Sequence, residues 1–133
     1  MILVDSSVWI DFFNGRANPA VEQLAGLLAD GSAPLGMPDL VLFEVLRGFR
    51  HEQDFQAARR TLAALPVIEI GGGDNVLRAA HHYRALRAGG CTVRSPIDVL
   101  LASHCIEHEH ALLHADRDFD AIELLRGLRV WRH

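Results

Sequence analysis

Ile2-Leu3-Val4-Asp5-Ser6-Ser7-Val8-Trp9 is the stretch on which the fold turns. Ile2-Leu3-Val4 reads as a short apolar strand that ends at Asp5. Ser6 or Ser7 can cap the helix that follows, Val8 to Phe13, and Asn14-Gly15 stops it. Strand, acid, helix is the opening of a parallel α/β sheet, and the rest of the chain repeats the alternation.

A second helix is expected over about Pro19 to Ala29, with Val21, Leu24, Leu27 and Leu28 on one face. Ala33 to Gly36 holds a short strand. Pro38 suits the first turn of a helix from Asp39 to Phe49. A helix from Asp54 to Leu65 stops at Pro66, and Val67 to Ile70 has the β-branched content of a strand. Gly71-Gly72-Gly73 is a turn before a helix from Asp74 to Ala88. Ser95-Pro96-Ile97-Asp98 opens a helix reaching His108. Ala111 to His114 is a strand, a helix follows to Leu125, and Leu128 to Trp131 is a last strand. The expectation is five strands and seven helices in one domain, residues 1–133.

Composition narrows the function. Half of the residues are hydrophobic and 23% are charged, with a formal net charge of -4. All 13 basic residues are Arg. Without Lys there is no phosphate-binding P-loop of the GxxxxGK[ST] kind, no Schiff-base amine and no protein-kinase strand Lys. Asp5 ends the first apolar run and no basic region precedes it, so no targeting signal is expected. No run approaches the length of a membrane span. Cys91 and Cys105 lack a framework spacing, which points to a reducing, cytoplasmic setting.

Four acids stand where the folding pattern does not require them. Ligands of such sheets bind beyond the carboxyl ends of the strands. Asp5 ends the first strand, and Asp116 lies just beyond the fourth. Glu44 sits inside Leu40-Val41-Leu42-Phe43-Glu44-Val45-Leu46, where burying a charge is costly without compensation. Asp98 reads two ways, as the third residue of a capping box begun by Ser95 or as a site carboxylate. Asp116, Asp118 and Ser7 can likewise be caps. Carboxylates sharing one pocket raise one another's pKa or hold a cation. Oxygen ligands suit Mg²⁺ or Mn²⁺, which can activate water against a phosphodiester.

Val4-Asp5-Ser6-Ser7-Val8-Trp9-Ile10-Asp11 resembles the opening of the PIN-domain ribonucleases, specifically the VapC-type toxins of bacterial toxin–antitoxin pairs. Glu44-Val45-Leu46-Arg47-Gly48 resembles the second acidic motif of that family. Ser95-Pro96-Ile97-Asp98 with Leu101-Ala102 resembles its third, and Asp116-Arg117-Asp118-Phe119 its fourth. The resemblance implies a three-layer α/β/α fold with a parallel five-stranded sheet. It implies a Mg²⁺ or Mn²⁺ site made by Asp5, Glu44, Asp98 and Asp116, supported by Ser7 and Asp118. It implies cleavage of RNA, often transfer or ribosomal RNA, a homodimer, and silencing by a cognate VapB-type antitoxin. The family often has Thr or Ser two residues before the fourth-motif Asp; His114 stands there in this chain. Arg94 and Arg117 are the candidates in sequence for steering an RNA backbone.

Other readings compete. His104 and His108, four apart on one helix with His110 near, have zinc-ligand spacing, but His104 should face away from the acids. Asp5 could be a nucleophile resembling that of haloacid dehalogenases, yet those enzymes also rely on Lys. A catalytically inactive PIN domain that binds RNA or protein is the alternative to the enzyme. Phe12, Phe13, Phe43, Phe49 and Phe55 are either core or an antitoxin groove.

Overall fold

A computed structural model describes residues 1–133. The elements are β1 (Ile2–Val4), α1 (Ser6–Phe13), α2 (Pro19–Ala29), β2 (Met37–Pro38), α3 (Asp39–Leu46) and α4 (Glu52–Leu62). They continue with β3 (Val67–Ile68), α5 (Gly73–Ala88), α6 (Pro96–His108), β4 (Ala111–Leu113), α7 (Arg117–Arg126) and β5 (Arg129–Val130). No helix is long and apolar enough to cross a membrane.

All strand pairs are parallel, as the alternation requires. The five strands divide into a three-stranded sheet, β1-β4-β5, and a two-stranded one, β2-β3. A single parallel bridge, Ile2 to Leu35, connects them. Helices α1 to α4 pack among themselves, and so do α5 to α7, giving the two helical layers of an α/β/α sandwich. The core lies between, around Leu3, Val4, Trp9, Met37, Leu101, Leu112, Leu113 and Phe119.

The expected second strand is displaced. Pairing with β3 falls on Met37–Pro38, and of Ala33 to Gly36 only Leu35 makes a bridge. Pro38 is therefore a strand residue and the cap of α3, not its first turn. Gly36 lies close against β3, where a Cβ would collide with the Ile68 side chain. Helix α3 stops at Leu46, and Gly48 and Phe49 close it in tighter turns. Helix α4 starts and ends earlier than its hydrophobic pattern suggests, at Glu52 and Leu62.

Candidate active site

Asp5 is fixed by three hydrogen bonds to two residues. Its N–H donates to the Leu113 carbonyl at 3.0 Å, continuing the β1–β4 ladder by one residue. Its side chain, rather than that of Ser6 or Ser7, caps α1, accepting from the Ser7 N–H at 3.4 Å. The Ser7 hydroxyl also donates to it, at 2.5 Å. Only 4% of the residue is exposed. Burial pushes the carboxyl above its ordinary range, the Ser7 and Ser6 hydrogen bonds oppose this, and Glu44 adds to the rise.

Asp98 makes only one half of the capping box that its sequence allows. Its N–H donates to the Ser95 Oγ cap at 3.4 Å. Its carboxylate makes no return bond to Ser95 and lies buried in the first turn of α6. Its pKa is pushed up to about 7, by burial first and then by Asp5, Glu44, Asp116 and Asp118. The acids of the other three motifs thus act on the carboxyl of the third.

Glu44 reaches the same region from α3. The residue is half-buried, and Oε1 is enclosed without a hydrogen-bond partner. Asp116 is exposed and caps α7, accepting the Asp118 N–H at 2.9 Å. None of Asp5, Glu44, Asp98 and Asp116 enters an ion pair. The acids are gathered but not closed around a point, and no three His, Cys, Asp or Glu side chains form a metal-holding group.

Residues 2–125 match the model of the PIN domain. The chain belongs to the PIN-domain family. A VapC ribonuclease of Mycobacterium bovis is 32% identical over 130 residues, covering 98% of this chain and 97% of the relative. Ribonuclease VapC11 of Mycobacterium tuberculosis matches with the same identity and coverage. These relatives place the chain among the VapC ribonucleases. Among solved structures, VapBC2 of Rickettsia felis bound to a promoter DNA fragment superposes with a TM-score of 0.76 at 17% identity. That match covers 99% of this chain and 100% of the other. FitAcB of Neisseria gonorrhoeae superposes with a TM-score of 0.73 at 14% identity, covering 99% and 97%. Both share the fold.

Other residues of this PIN domain fall on different surfaces. Arg117 is exposed and lines a cavity with Asp116. Arg94 instead lines an apolar cavity between α5 and α6 with Val76, Tyr83 and Val99. His104 and His108 line a polar cavity with Glu69 and Asp74, away from the acids as expected. Their rings stack, with centroids 4.1 Å apart, and burial pushes the His104 pKa down to about 4. Phe12, Phe13 and Phe49 pack into an aromatic cluster with Trp9, while Phe43 stays exposed beneath the Arg47 guanidinium. Phe55 is half-buried.

Two supports were not legible in the sequence. Asp39 accepts from the N–H groups of Leu40 and Ile70, both at 2.9 Å, and so ties the start of α3 to the end of β3. Asn75 donates to the carbonyls of Ile70 at 2.6 Å and Leu100 at 3.0 Å, tying α6 to the same place. They hold the helices that carry Glu44 and Asp98. Each is a polar residue near a helix start, a position where capping alone would account for it.

Proposed function

We propose that this PIN domain is the toxin of a toxin–antitoxin pair, an endoribonuclease that hydrolyses RNA phosphodiesters with a divalent cation. The observation that carries the reading is Asp98, buried and raised to about 7 by that burial first and then by four surrounding acids. A set of uncompensated oxygen donors fits Mg²⁺ or Mn²⁺. The enclosed, unpartnered Oε1 of Glu44 fits the same reading. Asp5, Glu44, Asp98 and Asp116 would hold the ion. Bound there, it supplies activation of the attacking water and neutralisation of phosphate charge.

The remaining steps belong to the chain. Ser7 favours the ionised form of Asp5 against the burial that opposes it, and fixes its direction. Ser95 pins the turn that presents Asp98. Asp118 adds negative potential beside Asp98. Arg117 attracts the RNA backbone from the rim beside Asp116, with Arg94 as a more remote contact. Formal net charge is -4, the charge of those four acids, so the rest of the surface has no net charge to repel RNA.

The substrate is a structured cellular RNA such as transfer or ribosomal RNA. The partner is a VapB-type antitoxin, the toxin is a homodimer, and both act in the cytoplasm. Relatives named VapC ribonucleases support the RNA substrate, and fold neighbours that are VapBC or toxin–antitoxin complexes support the antitoxin partner. The test is incubation of purified protein with total RNA and Mg²⁺ or Mn²⁺, with and without chelator. Discrete cleavage that chelator and Asp98→Asn both abolish supports the reading. Intact RNA, or identical products from Asp98→Asn, removes it and leaves a binding module.

A further inference from the structure

A cavity of about 350 Å³ lies between the first turn of α7 and residues 130–133, and Asp116 forms part of its wall. We propose that this cavity seats one nucleotide of the RNA beside the acidic site, with the Nε2–H of His114 as its fixed donor. The proposal rests on the ribonuclease reading for its place in the reaction.

His114 is 95% buried by fractional exposure, with 5% accessible. Its Nδ1 accepts the Asp116 N–H at 3.2 Å, which puts the ring proton on Nε2. Phe119 packs on the ring, with centroids 4.9 Å apart. Nε2 has no hydrogen-bond partner. The nearest carboxylate, Asp120 Oδ1, stands at 3.9 Å, beyond hydrogen-bond reach, on a largely exposed side chain that can move aside. A fixed buried donor without an acceptor is a group that a ligand oxygen can satisfy.

The rest of the wall suits a nucleotide. Trp131 is half-buried and lines the cavity, its indole N–H donates to Gln23 Oε1 at 3.0 Å, and its ring offers a flat face for stacking on a base. Arg117 enters no ion pair. Arg132 is paired only with Glu123, and His133 Nε2 meets the His114 carbonyl at 3.0 Å. A flat ring, guanidinium groups and a directed N–H in one cavity match a base, a phosphate and a sugar or phosphate oxygen.

The chain has two Trp, which makes the test direct. Trp9 is wholly buried and serves as reference; Trp131 reports on the cavity. Protein labelled with ¹⁵N at the indoles is titrated in chelator with the four ribonucleoside 3′,5′-bisphosphates. At least one should shift the Trp131 indole saturably and leave Trp9 in place. His114→Ala should weaken that binding about tenfold, the size of one directed hydrogen bond. His114→Gln, which keeps an N–H near the same point, should recover most of it. With cleavable RNA, His114→Ala should raise KM about tenfold, and His114→Gln should restore most of it. An unchanged Trp9 signal and Tm in each variant establish that it is folded. The proposal is overturned if no bisphosphate moves Trp131, or if His114→Ala binds and cleaves as wild type does. Wild-type protein that cleaves no RNA would remove the ribonuclease reading, while the bisphosphate titration would still decide the cavity.

Discussion

The Ser7 hydroxyl donates to Asp5 at 2.5 Å from the first turn of the helix that Asp5 itself caps. One carboxylate therefore ends a strand, starts a helix and faces Glu44. Burial favours its neutral form and Ser7 favours its ionised form. The local chain geometry that makes the α/β unit also sets the state of a candidate metal ligand.

Removing that hydroxyl should act through protonation. In Ser7→Ala the Asp5 pKa rises further, because a bond to the charged form is lost. RNA cleavage should fall about tenfold near pH 7 and approach the wild-type rate as pH rises, since a single hydrogen bond to a charged group contributes about 1.5–3 kcal/mol net. The pH–rate profiles of both proteins check this. A deficit of equal size at every pH would show that Ser7 acts by shape alone.

Asp98 should make metal-free stability depend on pH in an unusual direction. Its carboxyl titrates near 3.8 when unfolded and at about 7 when folded. The folded state therefore holds the proton more tightly between these values, and its contribution is fully present below about 3.8 and lost as pH rises to about 7. Asp98→Asn should melt higher than wild type at pH 8, and the gap should shrink as pH falls toward 4. Mg²⁺ at pH 8 should raise the melting temperature of wild type and hardly move the variant. Thermal scans in chelator and in Mg²⁺ measure both effects; a gap that does not change with pH would remove Asp98 as its source.

Glu44→Gln separates charge from shape. It keeps the volume of a side chain whose Oε1 is already enclosed, and it removes the charge that raises Asp5 and Asp98. Metal-free protein should become more stable, while Mn²⁺ affinity falls about tenfold, or about 1.4 kcal/mol. Calorimetric titration with Mn²⁺ checks the second effect. Equal affinity in the two proteins would take Glu44 out of the ligand set.

Asp5 and Asp116 were legible because parallel strands deliver their carboxyl ends to one edge, and β1 and β4 are neighbours there. Glu44 stood out because its apolar run left no easy exit for a charge. Other features are set by long-range contacts. The position of β2 is fixed by its parallel pairing with β3, distant in sequence, which no local pattern encodes. Arg94 is four residues from Asp98 but lines the apolar cavity of α5 and α6. Sequence distance does not give the direction of a loop residue. The role of Asn75 likewise needs Ile70 and Leu100 brought together by the fold.

A last expectation concerns stability away from the acids. Helix α6 ends at Glu109 with φ 57, a left-handed conformation that costs a residue with a Cβ. Helix α7 ends at Gly127 with φ 74, where glycine pays no such cost. Glu109→Gly should therefore stabilise the protein by about 0.5–1 kcal/mol, after the added freedom of the unfolded chain is counted. The lost pair with Arg129, at 3.6 Å between two exposed side chains, offsets little of this. Gly127→Ala should do the reverse, by about 1 kcal/mol. Urea unfolding of both variants checks the pair. Glu109 lies at the opposite end of thirteen-residue α6 from Asp98, so RNA cleavage by Glu109→Gly should match wild type. If Glu109→Gly destabilises instead, the Arg129 pair or the helix end contributes more than its exposure implies.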